Sequence, residues 1–301
     1  MAGRLARGWS MARTSFSVLR RYPKLAVLPI ISGTVLLLVL GLIALSLLPQ
    51  SGLLYPVTRP IWQKLGTDET GQAWFYVAAF AVIYVLTVIA AFFNVALIHC
   101  ALRCHAGEQP SLRAGLAAAT TSLPQILGWA LVAATVGVLL NAIENVLRDK
   151  LGFLGGLIGG LFEFGWSVVT YFVLPVLAIE RVGPITAIRR SSAILRSKWG
   201  ESLAGETRFG LLGVLLILLA GALFCAGLAI QLSYGAAAPA GVGPVLMTLG
   251  VVDGIATIVV LQALSTIFQT GVYLYATTGQ IPPSLDAALV KGAFRPKRPA
   301  S

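Results

Sequence analysis

The chain has 301 residues, of which 57% are hydrophobic and only 11% charged, with a net charge of +11. Soluble domains carry about 25% charged residues, so this chain cannot cover its surface with polar groups, and lipid is expected to be part of its solvent. No stretch between the apolar runs is long enough to bury a core of its own, which excludes an added soluble domain. The excess of Lys and Arg sits beside apolar runs rather than on a folded basic face. That excludes nucleic acid as the expected partner and points to membrane topology and anionic lipid.

Taken in chain order, six runs are long enough to cross about 30 Å of hydrocarbon as helices. They cover 25–48, 74–101, 124–146, 153–179, 209–233 and 252–277. The fold class is therefore all-α, a polytopic bundle of six transmembrane helices in a single domain over 1–280, with a basic tail over 281–301. None of the runs shows the alternation of a barrel strand. The first run exceeds the length of a signal h-region and no cleavage site follows it, so it reads as a retained anchor. Three cysteines, Cys100, Cys104 and Cys225, form no disulfide framework.

Orientation follows from the basic residues of the connections. Eighteen Lys and Arg fall in the N-terminal segment, the second and fourth connections and the C-terminal tail; four fall in the other three connections. Both termini are expected in the cytoplasm. The outer connections are a Pro-containing loop over 49–73, a tight link at 147–152, and an uncharged Gly/Ala/Pro segment over 234–251. Trp62, Trp74 and Trp166 lie near predicted span ends, as aromatic belts do.

A short amphipathic segment precedes each outgoing span. Leu5, Trp9, Ala12, Phe16 and Leu19 form one helical stripe. Leu112, Leu116, Ala119 and Leu123 form a second, and Ile185, Ile188, Leu195 and Trp199 a third. The run Arg13 to Arg20 also resembles Arg189 to Arg196 residue by residue. An interfacial helix followed by a two-span hairpin is thus expected three times, with arginines turned toward anionic headgroups.

The search for catalytic motifs finds no P-loop, no HExxH, no nucleophile elbow and no kinase-type Gly-rich loop. No enzyme activity and no cofactor are expected. His99, Cys100, Cys104 and His105 cluster in "HCALRCH", but on one helix the histidines point away from the cysteine face. Packing explains them, and no metal is expected. Ionisable groups at membrane depth are costly and mark candidate sites. Glu163 is the clearest, followed by Glu144 and Asp253, with Asn141 and Asn145 beside Glu144. Together they could line a polar vestibule or a proton or cation site.

Around Glu163, Gly152, Gly156 and Gly160 stand four apart, and so do Gly155 and Gly159. Small residues at that spacing let helices approach closely, marking the fourth span as a packing core or an oligomer contact. Pro29 and Pro175 lie within spans and predict kinks at which neighbours must satisfy freed main-chain groups. "ERVGP" reads as a span end at Glu180, a break at Gly183, and Pro184 opening a new helix. Glu180 is positioned to pair with Arg181 or with a neighbouring interfacial arginine and to fix that helix on the membrane; Glu180, Gly183, Pro184, Arg190 and Arg196 are the structural residues of this turn and interfacial helix.

The run Phe172 to Trp199, "FVLPVLAIERVGPITAIRRSSAILRSKW", resembles a signature of several poorly characterised prokaryotic membrane families. One is the membrane domain sometimes joined to glycerophosphodiester phosphodiesterases. The matching positions are Pro175, Glu180, Gly183, Pro184, Ala187, Arg190, Ser191, Leu195 and Trp199. With "WSMARTSFSVLRRYPKLAVLPIISG" and "IPPSLDAALVKGAF", the whole chain is similar to a bacterial six-helix family of unknown function. The resemblance implies a bacterial inner-membrane protein and transfers no catalytic residue. The expectation is a non-enzymatic accessory or scaffold module organising protein partners, a second copy or anionic lipids. The alternative is a permease or channel component that uses Glu163 and the polar outer ends.

Overall fold

The computed structural model describes residues 22–47, 69–198, 207–234 and 241–279. The first amphipathic segment, Trp62 and the C-terminal tail lie outside these, as do the side chains of Trp74 and Trp199. The described residues are helical, without strands. After a 3-10 segment, Pro23–Ala26, come α1 (Val27–Leu47), α2 (Glu69–His105), α3 (Leu112–Thr121), α4 (Leu123–Leu151) and α5 (Phe153–Val169). Then follow α6 (Val173–Glu180), α7 (Pro184–Lys198), α8 (Thr207–Tyr234) and α9 (Val242–Thr278). Six stretches are long and apolar enough to cross a membrane: Pro23–Ile43, Tyr76–His105, Leu123–Leu151, Phe153–Glu180, Gly213–Ser233 and Val242–Thr278. The chain is a multi-pass membrane protein.

Two of the span limits that differ from the sequence reading do so for a local reason. The last span begins at Val242 rather than at 252, because Gly241 (φ 91°) turns the chain and Pro244 sits in the first helical turn. Proline is tolerated there, since its missing N–H would be unpaired anyway. At the third span the helix runs on to Leu151, so Arg148 and Lys150 are helical, and the link shrinks to Gly152. Its φ of 55° is cheap only for glycine. Pro29, expected to kink the first span, falls in the first turn of α1 just after the 3-10 segment, where proline is best tolerated.

The described residues fall into two compact units. One draws on residues within 31–99 and 113–195, the other on residues within 1–30, 100–112 and 196–301. In the first unit α4 and α5 form an antiparallel hairpin, and its close approach runs through Gly155 and Gly159. A Cβ at Gly159 would stand 2.5 Å from Glu144 Cγ, and one at Gly155 would overlap the Leu147 carbonyl. Of the other three glycines, Gly152 makes the turn, Gly156 reaches only the Arg148 side chain at 3.8 Å, and Gly160 faces open space. Further along, Trp129 and Trp166 stack at 6.2 Å with planes 13° apart. Trp166 is therefore a hairpin packing residue, because the fourth span continues well past it.

In the second unit α8 and α9 form another hairpin, with a seam made of small residues. Among the described residues of α8, burial falls on Gly213, Ala220 and Gly227, seven apart. On α9 the matching series is Gly243, Gly250 and Thr257. A Cβ at Gly250 would stand 2.6 Å from the Ala220 carbonyl oxygen, and one at Gly227 would stand 2.5 Å from that of Gly243. A seven-residue repeat keeps one face of a helix on its partner, and small side chains bring the axes together. The remaining residues of α8 are left largely for lipid. Beyond the seam, the last turns of α9 are buried, and the 3-10 segment adds Leu25, the start of α1 Leu28, and the end of α2 Cys100 and His105.

Candidate functional site

The fourth span is two helices. Pro175 lacks an N–H and its ring crowds the carbonyl four residues back, so a straight helix cannot pass through Thr170–Phe172. The chain breaks there, and two buried main-chain groups would be stranded. Ser191, on α7 and fully buried, takes up both. Its hydroxyl accepts from the Phe172 N–H at 3.1 Å and donates to the Val169 carbonyl at 2.6 Å. One side chain thus fastens α7 to the break in the fourth span.

The elbow between α6 and α7 is tied at three further points. Arg181 adopts the left-handed conformation (φ 51°, ψ 34°) that ends α6, a role the sequence reading gave to Gly183. Gly183 instead caps α7 through its carbonyl, which accepts from the Ala187 N–H at 2.9 Å. Gln125 of α4 donates to the Arg181 carbonyl at 3.4 Å, and Pro184 lies against Gly128, where a Cβ would stand 3.3 Å from Cγ of the ring. Arg190 donates to Glu180 at 3.2 Å, so the partner of Glu180 is Arg190 rather than Arg181.

These contacts set which face of α7 looks outward. Ala187, Ser191, Ile194 and Leu195 are buried, at i, i+4, i+7 and i+8. The expected stripe is rotated: Leu195 is in it, Ile188 is half-buried, and Ile185 is 54% exposed. Small Ala187 and polar Ser191 face inward because the break needs close approach and a hydroxyl. Arg181, Arg189, Arg190 and Arg196 are all exposed on the elbow and on α7. On α3 the same rule holds: Gly115 and Ala119 are buried, Ser122 at its end is buried, and Leu123 is exposed.

The carboxylates singled out in the spans have different surroundings. Glu144 packs over Gly159 and pairs with Arg148 on its own helix, and Asn145 donates to Asn141 at 3.1 Å. Glu163 is exposed on α5 and makes no hydrogen bond or ion pair with a described residue. Asp253 belongs to the α8–α9 hairpin, and its Oδ2 is buried without a partner among the described residues. Within "HCALRCH", three side chains meet main-chain carbonyls. His99 Nδ1 lies 3.1 Å from the Val95 carbonyl of its own helix. The Cys100 thiol donates to the Ser111 carbonyl at 3.5 Å, and His105 Nε2 donates to that of Ile267 at 3.1 Å. Among the described residues no group of three His, Cys, Asp or Glu could hold a metal.

Pro175 implies that some neighbour must satisfy the freed main-chain groups, but nothing in the local sequence marks Ser191, 16 residues on, as that neighbour. The seven-residue series on α8 and α9 was readable as Gly213, Ala220, Gly227 and Gly243, Gly250, Thr257, but a search for four-residue spacing passes over it.

No curated protein and no solved structure matches the chain. A family model described as a family of unknown function, DUF6159, matches residues 73–282. That stretch holds over two thirds of the chain, from α2 through the Pro175 break and the α6–α7 elbow to the end of α9. The chain belongs to the DUF6159 family.

Proposed function

We propose that this protein is a non-enzymatic membrane scaffold that gathers anionic lipid headgroups on α7, at the cytoplasmic surface of a bacterial inner membrane. The observation that carries this reading is the Ser191 fastening. It holds one amphipathic helix rigidly at a span end and leaves Arg181, Arg189 and Arg196 exposed, without ion pairs to described residues. The distribution of Lys and Arg supports placing that end in the cytoplasm. Guanidinium groups match phosphate oxygens with two parallel hydrogen bonds. Rigid placement lowers the entropy cost of each contact.

The test is native mass spectrometry of the full-length protein released from nanodiscs of mixed phosphatidylglycerol and phosphatidylcholine. Selective retention of phosphatidylglycerol is expected. At about 1 kcal/mol per basic residue near the surface, the double change Arg189→Ala/Arg196→Ala weakens retention about thirtyfold. Equal retention of both lipids, or no change in the double variant, would sink the reading.

A second reading, a permease component, is favoured by Asp253, whose Oδ2 is buried at membrane depth without a donor among the described residues, and by Glu163, which pairs with no described residue. It requires proton- or ion-dependent flux in proteoliposomes that is lost in Asp253→Asn or Glu163→Gln. Flux equal to that of empty liposomes rules it out.

A further inference from the structure

The α5 helix has a flank that its own hairpin does not use. Gly155, Gly159 and Trp166 face α4. On the neighbouring face Gly156, Gly160, Glu163 and Ser167 follow at i, i+4, i+7 and i+11, one continuous stripe. Gly160, Glu163 and Ser167 are exposed, and a Cβ at Gly160 would meet nothing within 4 Å. The Ser167 hydroxyl is satisfied by the Phe164 carbonyl at 2.8 Å, so it presents only small volume and a spare lone pair.

Glu163 makes this face more than a row of small residues. It follows Phe153, the first residue of its span, by ten positions. At the helical rise this is about 15 Å of depth, half of the roughly 30 Å hydrocarbon layer. An ionised carboxylate there is costly, and the neutral acid still has an O–H and a C=O that acyl chains cannot satisfy. Whatever covers it must offer both an acceptor and a donor at mid-depth. Within the six spans every Lys and Arg stands in a terminal turn, so none of the described spans offers a cation at that depth. A carboxylic acid meets the need, because it donates and accepts at once and is complementary to itself.

We infer that two copies of this chain pack α5 against α5 through Gly156, Gly160, Glu163 and Ser167, with the two neutral Glu163 carboxyl groups hydrogen-bonded to each other. Copies inserted the same way present Glu163 at equal depth. A twofold axis along the membrane normal brings each residue to its own counterpart. Gly156 and Gly160 let the two backbones approach, as small residues four apart do between membrane helices. The two sets of glycines on α5 then have separate tasks: Gly155 and Gly159 close the hairpin, and Gly156 and Gly160 close the dimer.

The experiment uses full-length protein, labelled with a fluorophore on its C-terminal tail and reconstituted in phosphatidylcholine liposomes over a dilution series. Single-molecule bleaching steps count the copies. Wild type is expected to bleach in two steps and to become monomeric only on strong dilution. Gly160→Leu fills space that is open within one copy, so helix content and thermal midpoint stay at wild-type values while dimerisation weakens about tenfold. Glu163→Leu weakens it similarly, whereas Glu163→Gln retains the dimer because an amide also donates and accepts. Single-step bleaching of wild type at every density overturns the inference and leaves lipid as the occupant. Dimers indifferent to both leucine variants overturn it too.

Discussion

At position 191 the chain needs a short hydroxyl. Val169 and Phe172 each lose a helical partner where Pro175 breaks the span, and Ser191 reaches both. Ser191→Ala leaves a buried N–H and a buried C=O unsatisfied, and it is expected to cost about 1–3 kcal/mol. Thermal unfolding in detergent should show a clearly lowered midpoint. Glu180→Gln removes the pair with Arg190, whose side chains are 28% and 53% exposed. Solvent screening holds that loss to about 1 kcal/mol or less, so its midpoint should stay near wild type. The two residues are near neighbours in one elbow, and the contrast separates a buried main-chain requirement from a surface ion pair.

Among the helices, glycines that look alike in sequence divide by what a side chain would meet. At Gly250 a Cβ would stand 2.6 Å from the Ala220 carbonyl oxygen and 2.7 Å from the Phe224 nitrogen, main-chain atoms that cannot step aside. Gly250→Leu therefore forces α8 and α9 apart and costs about 1–3 kcal/mol or more. One turn on, Gly254 would place its Cβ at an ordinary 3.5 Å from that of Ala220. Gly254→Ala is expected to be neutral or to stabilise by up to about 1 kcal/mol through helix propensity. Equal unfolding midpoints for the two variants would refute the seam. In the α4–α5 hairpin, Gly159→Leu must displace Glu144, while at Gly160 a Cβ meets nothing within 4 Å among the described residues.

For the whole molecule, topology is the quantity to measure. Eighteen basic residues on one set of connections against four on the other are the ground for proposing that both termini lie in the cytoplasm. Single cysteines introduced into the two termini, in a background without Cys100, Cys104 and Cys225, should react with an impermeant maleimide only after the cells are opened. A cysteine in the 49–73 connection should react in intact spheroplasts. Labelling of either terminus in intact spheroplasts would reverse the orientation and remove α7 from the cytoplasmic headgroup layer.

The sequence alone determined the class of molecule, the number of spans, the elbow at Glu180 to Pro184 and the break signalled by Pro175. These rest on hydrophobic length, on the positions of prolines and on charge, all local properties of the chain. Glu180 had a partner predicted in kind, and Arg190 is that partner. Only the tertiary structure decided which side chain fills a gap and which face turns inward. Large residues suggested the buried stripe of α7, yet close docking at a broken helix selects Ala187 and Ser191 and leaves Ile185 outside. Four-residue spacing drew attention to both glycine series of the fourth span. The hairpin uses Gly155 and Gly159, because the one-residue turn at Gly152 sets the rotation of α5 against α4. Patterns along the chain report solvent and period; the rotation of each helix about its own axis is settled by the backbone atoms it must pass, and those belong to residues far away in sequence.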